Sequence, residues 1–235
     1  MKGNEEKKKN LIHVTAEEIS KYEFRKRLIG ILIAAGLTLL GVVYAISAVY
    51  METGSFTISV NKYEMYEHGL SLSENRDLSK PSSILNAKVD KSITNIAEAE
   101  IDENVNQIDG LHNGKHYIAY TFYLFNAGDT EVNYIWQVRM SNVFNGIDEA
   151  IRLKLYVDDV PTTYAKTASD GSGAEPGTTE FYSNVIMAQG RKDTFTPGMS
   201  TKFTVVIWLE GTDPDCVDWI KGGQMKIEMV MSIAN

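Results

Sequence analysis

The chain has 235 residues, a formal net charge of −8 and 10% aromatic residues, with 12 tyrosines and a single cysteine. The charge is uneven: residues 1–27 carry eight basic against five acidic side chains, 28–51 carry none, and the remainder holds 15 basic against 26 acidic. A surface this acidic repels phosphate backbones and excludes nucleic-acid binding, and the lone Cys216 excludes an intramolecular disulfide.

In the N-terminal tail, Thr15-Ala16-Glu17-Glu18 has the form of a helix start, with the hydroxyl at the N-cap and Glu18 three positions on. Lys7–Lys9 add positive charge, and His13 carries no motif. From Leu28 to Met51 the chain runs for 24 residues without a charge. As a helix that stretch is about 36 Å long, enough to cross a hydrocarbon core of about 30 Å. Arg25, Lys26 and Arg27 precede it and Glu52 follows, so the positive-inside rule places residues 1–27 in the cytoplasm and residues 52–235 outside. The run is longer than the apolar core of a secretory signal and reads as a retained anchor. Ala45-Ile46-Ser47 offers a signal peptidase site, in which case the product is secreted.

After the anchor, Ser55, Phe56, Thr57, Ile58, Ser59 and Val60 alternate as a first strand. Residues 62–110, His68 among them, are more polar and read as minor strands and long connections around Pro81-Ser82-Ser83. His116–Phe125 is aromatic on both faces, as a central strand is, and Asn126–Asp129 is a turn. Thr130–Met140 then puts Val132, Tyr134, Trp136, Val138 and Met140 on one face. The two segments read as an antiparallel hairpin. Gly146–Ala150 forms one helical turn, Ile151–Val157 alternates, Asp158-Asp159 turns and Thr162–Thr167 returns. Residues 168–180 have the Gly, Ser and Pro content of an exposed loop. Pro197-Gly198 precedes a strand at Thr201–Leu209. Asp213–Ile220 reads as a short helix, and Gln224–Ile233 closes the fold with Met225, Ile227, Met229 and Met231 inward. Strands at hairpin spacing without intervening helices predict an all-β, antiparallel sandwich of jelly-roll or Greek-key type behind one transmembrane helix.

Chemical candidates are few. His112 and His116 are four apart, but Asn113-Gly114 between them indicates a turn, and no HExxH helix is present. A zinc site using both stands as the alternative to incidental histidines. Glu210, Asp213, Asp215 and Asp218 read first as acids at a helix start, with an oxygen-ligated Ca²⁺ site as the alternative. No serine elbow, phosphate loop or CxxC pair occurs. No catalytic residue or cofactor is expected, and Cys216 reads as a packed, inert thiol.

Several segments in order, YIAYTFYLFNAGDTEVNYIWQV, then IRLKLYV, then VIWLEGTDPDC at 206–216, resemble the TasA/camelysin group of Gram-positive secreted surface proteins. The resemblance spans residues 28–235 and is most specific at Trp208-Leu209-Glu210-Gly211 and Asp213-Pro214; residues 62–110 depart from it. It implies a jelly-roll fold and a non-catalytic biofilm-matrix or anchoring subunit. The subunit would act by lending the strand Ser55–Val60 to a neighbouring sheet edge, on itself or a related surface protein. Camelysin's peptidase label implies, as the alternative, a metal-dependent surface peptidase. A third reading is a glycan- or protein-binding module working through the 168–180 loop.

Overall fold

The computed structural model describes residues 16–52, 55–88 and 93–234; Lys7–Lys9, His13 and the Thr15 cap lie outside them. The chain divides after Met51 into two compact units. In the first, α1 (Ala16–Glu52) is a continuous helix of 37 residues, and its stretch Lys21–Ser47 is long and apolar enough to span a membrane. The side chains of that stretch are exposed throughout. Thr38 turns its hydroxyl back onto the carbonyls of Ala34 (3.0 Å) and Ala35 (2.9 Å), so this polar group is satisfied within the helix.

The second unit runs β1 (Ser55–Val60), α2 (Lys62–His68), β2 (Leu70–Ser73), β3 (Ile84–Lys88), β4 (Gly110–Leu111), β5 (Tyr117–Asn126) and β6 (Val132–Phe144). It continues through β7 (Ile151–Val157), β8 (Val160–Ala165), β9 (Thr179–Glu180), β10 (Ile186–Phe195), β11 (Ser200–Leu209) and β12 (Gln224–Ile233). Single 3₁₀ turns lie at Glu98–Glu100, Val105–Gln107, Ile147–Glu149 and Asp218–Ile220. The strands form a five-stranded sheet, β10–β6–β12–β1–β3, and a seven-stranded sheet, β2–β5–β11–β7–β8–β9, with β4 also on β5. Pairing is antiparallel except for β1 with β12 and β8 with β9, which run parallel.

The expected all-β sandwich is present, and alternation builds it. Along β6, Val132, Tyr134, Trp136, Val138 and Met140 are buried, and along β12 so are Met225, Ile227, Met229 and Met231. These face Tyr120, Phe122 and Leu124 of β5 and Phe203, Val205 and Ile207 of β11 in one core. Aromatic rings fill the core between the layers. Phe122 stacks on its sheet neighbour Phe203 with ring centroids 5.3 Å apart, while Trp136 meets Phe203 edge-on at 6.0 Å and Phe56 meets Tyr120 edge-on at 6.4 Å across the two layers.

The seven-stranded sheet is also covered on its outer face. Ile96 and Val105 pack there on Ala119, Val206 and Trp208, which explains why β5 is apolar on both sides. The polar-looking stretch 93–108 is therefore a second layer rather than a set of strands.

Three sequence readings are corrected. β5 and β6 do not pair as a hairpin but lie in opposite sheets. Both direct aromatic residues at the same core, and facing each other across it buries them more completely than lying side by side. Lys62–His68, in the stretch expected to hold minor strands and connections, is helix α2: Asn61 caps it by accepting from the Tyr63 N–H (3.0 Å) and Gly69 ends it in the left-handed region. Asp213–Ile220 is not a helix; only Asp218–Ile220 makes a 3₁₀ turn. Strand β10 carries no alternation that marks it in the sequence, since Arg191, Lys192 and Asp193 interrupt its apolar pattern.

Gly69 also meets Gly128 closely: a Cβ at 69 would sit 2.2 Å from the Gly128 nitrogen, on a backbone already at φ +71°. Gly69→Ala is therefore expected to destabilise the domain by more than about 1 kcal/mol, read as a lowered urea midpoint with an unchanged slope.

Candidate functional site

The outer face of the seven-stranded sheet carries a polar site at its edge. β7 and β11 pair with Arg152 opposite Trp208, and both side chains point away from the sandwich core. The loop after β8 folds over them and delivers Glu175; the turn after β11 delivers Glu210, Asp213 and Asp215. Arg152 is buried among them. Its Nη2 lies 2.6 Å from Asp213 Oδ2 and 3.9 Å from Glu175 Oε2. The result is a cleft of ≈ 390 Å³ lined by Glu98, Arg152, Glu175, Trp208, Glu210 and Asp213.

The four acids of the β8 loop and the β11 turn have different tasks. Glu210 is committed to structure: it accepts from Trp208 Nε1 (2.9 Å) and from both the Thr212 N–H (3.1 Å) and hydroxyl (2.7 Å). Burial pushes its carboxyl up, but those hydrogen bonds outweigh burial and hold it below the ordinary value. Asp213 accepts from the Asp215 N–H on Oδ1 (2.8 Å). Asp215 accepts from the Ser169 hydroxyl (2.5 Å) and N–H (3.2 Å), which ties the Gly- and Ser-rich loop down. Glu175 is 8% exposed. Burial, followed by the negative charge of Asp213, raises its carboxyl, and Arg152 offsets only part of this. Glu175, Asp213 and Asp215 each bring one carboxylate oxygen within 4.8 Å of the others.

The remaining candidates scatter. Asp218 is exposed and pairs with Lys221 at 2.7 Å, so the four acids Glu210, Asp213, Asp215 and Asp218 do not converge. Asp213 and Asp215 cap no helix. Both ring nitrogens of His112 face backbone carbonyls, Gly110 at 2.8 Å and Val105 at 2.7 Å. His116 Nδ1 sits 2.8 Å from the Thr94 hydroxyl. Neither nitrogen of His112 presents a lone pair to a metal, so a zinc site using the pair does not fit. Burial, then Asp213 and Glu210, push the half-buried Cys216 thiol up, which keeps it protonated and unreactive.

Ser55–Val60 lies inside the five-stranded sheet as β1, between β12 and β3, with Phe56, Ile58 and Val60 buried. Sequence reasoning missed Arg152 and Glu175. Arg152 occupies an outward position of an alternating strand, and Glu175 sits in a loop of flexible composition, so no local pattern marks either.

No family model matches the chain, and no curated protein matches it. Among solved structures it is similar to a beta-glucosidase from Kluyveromyces marxianus in complex with glucose, at 12% identity and a TM-score of 0.25, over 75% of this chain and 17% of that one. A selenomethionine-labelled form of the same enzyme is similar at 12% identity and a TM-score of 0.25, over 68% and 17%. The chain thus spans about 17% of the length of that enzyme, and a superposition this loose carries no argument about activity.

Proposed function

We propose that this protein is a non-catalytic, single-pass surface subunit. Its N-terminal tail lies in the cytoplasm and its β-sandwich outside the cell, where it scaffolds or anchors matrix through strand addition. The basic flank Arg25–Arg27 before the apolar helix supports the orientation. The observation that carries the strand-addition reading is the position of β1. It is the first strand after the anchor, and it completes a sheet by running parallel to the last strand, β12, while pairing antiparallel with β3. A strand joined to its sheet through backbone hydrogen bonds, with buried side chains at alternate positions, is the unit that strand addition exchanges between copies. When β1 of one copy leaves its slot, β12 and β3 offer two unpaired edges to β1 of a neighbour.

Cysteine cross-linking on cells tests this. Thr57 and Glu228 are register partners, and neighbouring strands lie about 4.8 Å apart, within reach of a disulfide. With Cys216→Ser as background, Thr57→Cys and Glu228→Cys are expected to give a ladder of covalent multimers on non-reducing gels after oxidation of intact cells. A purely monomeric, internally bridged product would overturn strand exchange.

A further inference from the structure

We infer that the end of the sandwich at which β1 begins docks on the headgroup layer of a lipid bilayer, with Trp219 and Tyr182 as its aromatic anchors. The inference rests on the anchored topology proposed above and is independent of strand addition. Strand register fixes which residues share that end. β1 starts at Ser55 beside the first residues of the parallel β12, and β12 starts at Gln224 opposite Phe144, the last residue of β6. β10 starts at Ile186 opposite Arg139, toward the same end of β6. The turn before β12 therefore brings Val217 and Trp219 to this rim, and the segment before β10 brings Tyr182 and Val185. In that order the four side chains are 41%, 59%, 66% and 55% exposed.

Covalent reach says what covers them. Glu52 ends α1 and Ser55 begins β1, so three peptide links join them, about 10 Å when fully extended. The headgroup layer on each side of a bilayer is itself about 5–7 Å deep. A chain anchored by the uncharged run that ends at Met51 thus keeps this rim within reach of headgroups. The opposite rim lies a ten-residue strand away, about 33 Å. Indole and phenol rings suit the layer, because each joins an apolar body to one hydrogen-bonding group. Trp136 and Trp208 are buried, so Trp219 is the exposed member of the three tryptophans. Its ring lies against Gly146, a left-handed residue where no Cβ fits, and a ring already held in place loses little freedom on docking. Beside it, Asp218 and Lys221 neutralise each other at 2.7 Å. The rings rather than net charge make the contact, and a zwitterionic lipid suffices.

Tryptophan fluorescence of the full-length chain in phosphatidylcholine nanodiscs tests this. A headgroup-nitroxide lipid is expected to quench the share of emission that Trp219→Phe removes, while iodide in the buffer leaves that share unquenched. Tyr182→Ser with Val185→Ser, both at exposed positions, should weaken the lipid quenching and open Trp219 to iodide. Absence of nitroxide quenching would overturn the docking, either with iodide access, which means an open rim, or without it, which means a second copy covers the rim. Elution of the chain free of lipid would overturn the anchored reading as well, so the two failures are told apart.

Discussion

Phe203→Ala is expected to remove about 3–5 kcal/mol of stability, the cost of truncating a fully buried aromatic residue. Phe203 is 0% exposed and lies where the two layers meet, stacked on Phe122 from its own sheet and met edge-on by Trp136 from the other. The substitution deletes ring burial and both aromatic contacts together. The cavity it leaves is walled by β-sheet on both sides, which cannot collapse without distorting the ladders. Urea unfolding of the full-length chain in detergent measures the effect; a loss below about 1 kcal/mol, the scale of ordinary surface changes, would contradict the central role given to this ring.

Arg152→Met is expected to have a comparable effect for an electrostatic reason. It leaves Asp213 and Glu175 buried without their guanidinium, and breaking a buried pair on one side costs about 3–5 kcal/mol. The pH dependence separates this from lost packing. Burial already raises Glu175 above the ordinary 4.5 in the folded chain, so its ionised form destabilises the fold at neutral pH. That penalty fades as pH falls through the raised folded value and is gone below the unfolded one. Removing Arg152 takes away the group that restrains the rise and enlarges the penalty. The variant's deficit should therefore shrink as pH falls from neutral through the raised folded value of Glu175. A deficit that stays constant across that fall in urea titrations would show that packing, not charge, is what Arg152 contributes.

Much of the fold is legible because alternation is a direct record of burial. The inward sets on β6 and β12 follow from residue spacing alone, as do the Asp158-Asp159 turn and the apolar helix. Alternation is silent on which sheet a strand joins, and so the Asn126–Asp129 turn, which carries the chain from one layer to the other, was read as a hairpin. It is equally silent on what lies beyond an outward side chain. In Ile151–Val157, Arg152 reads as solvent-facing, yet the loop carrying Glu175 covers it. Trp208 on the partner strand is likewise sealed by Ile96 and Val105, from a stretch whose polar composition gave no sign of a second layer. The acids at 210–218 were visible as a cluster, but chain proximity misgrouped them. Glu210 turns to Trp208 and Asp218 to solvent, while the third member of the convergent trio comes from 35 or more residues earlier.

The parallel pairing of β1 with β12 has a mechanical consequence. A pull applied before β1 and after β12 draws these neighbours lengthwise in opposite directions. Under such a load the hydrogen bonds between the two strands must yield together rather than unzip in succession, so resistance concentrates at the β1–β12 seam.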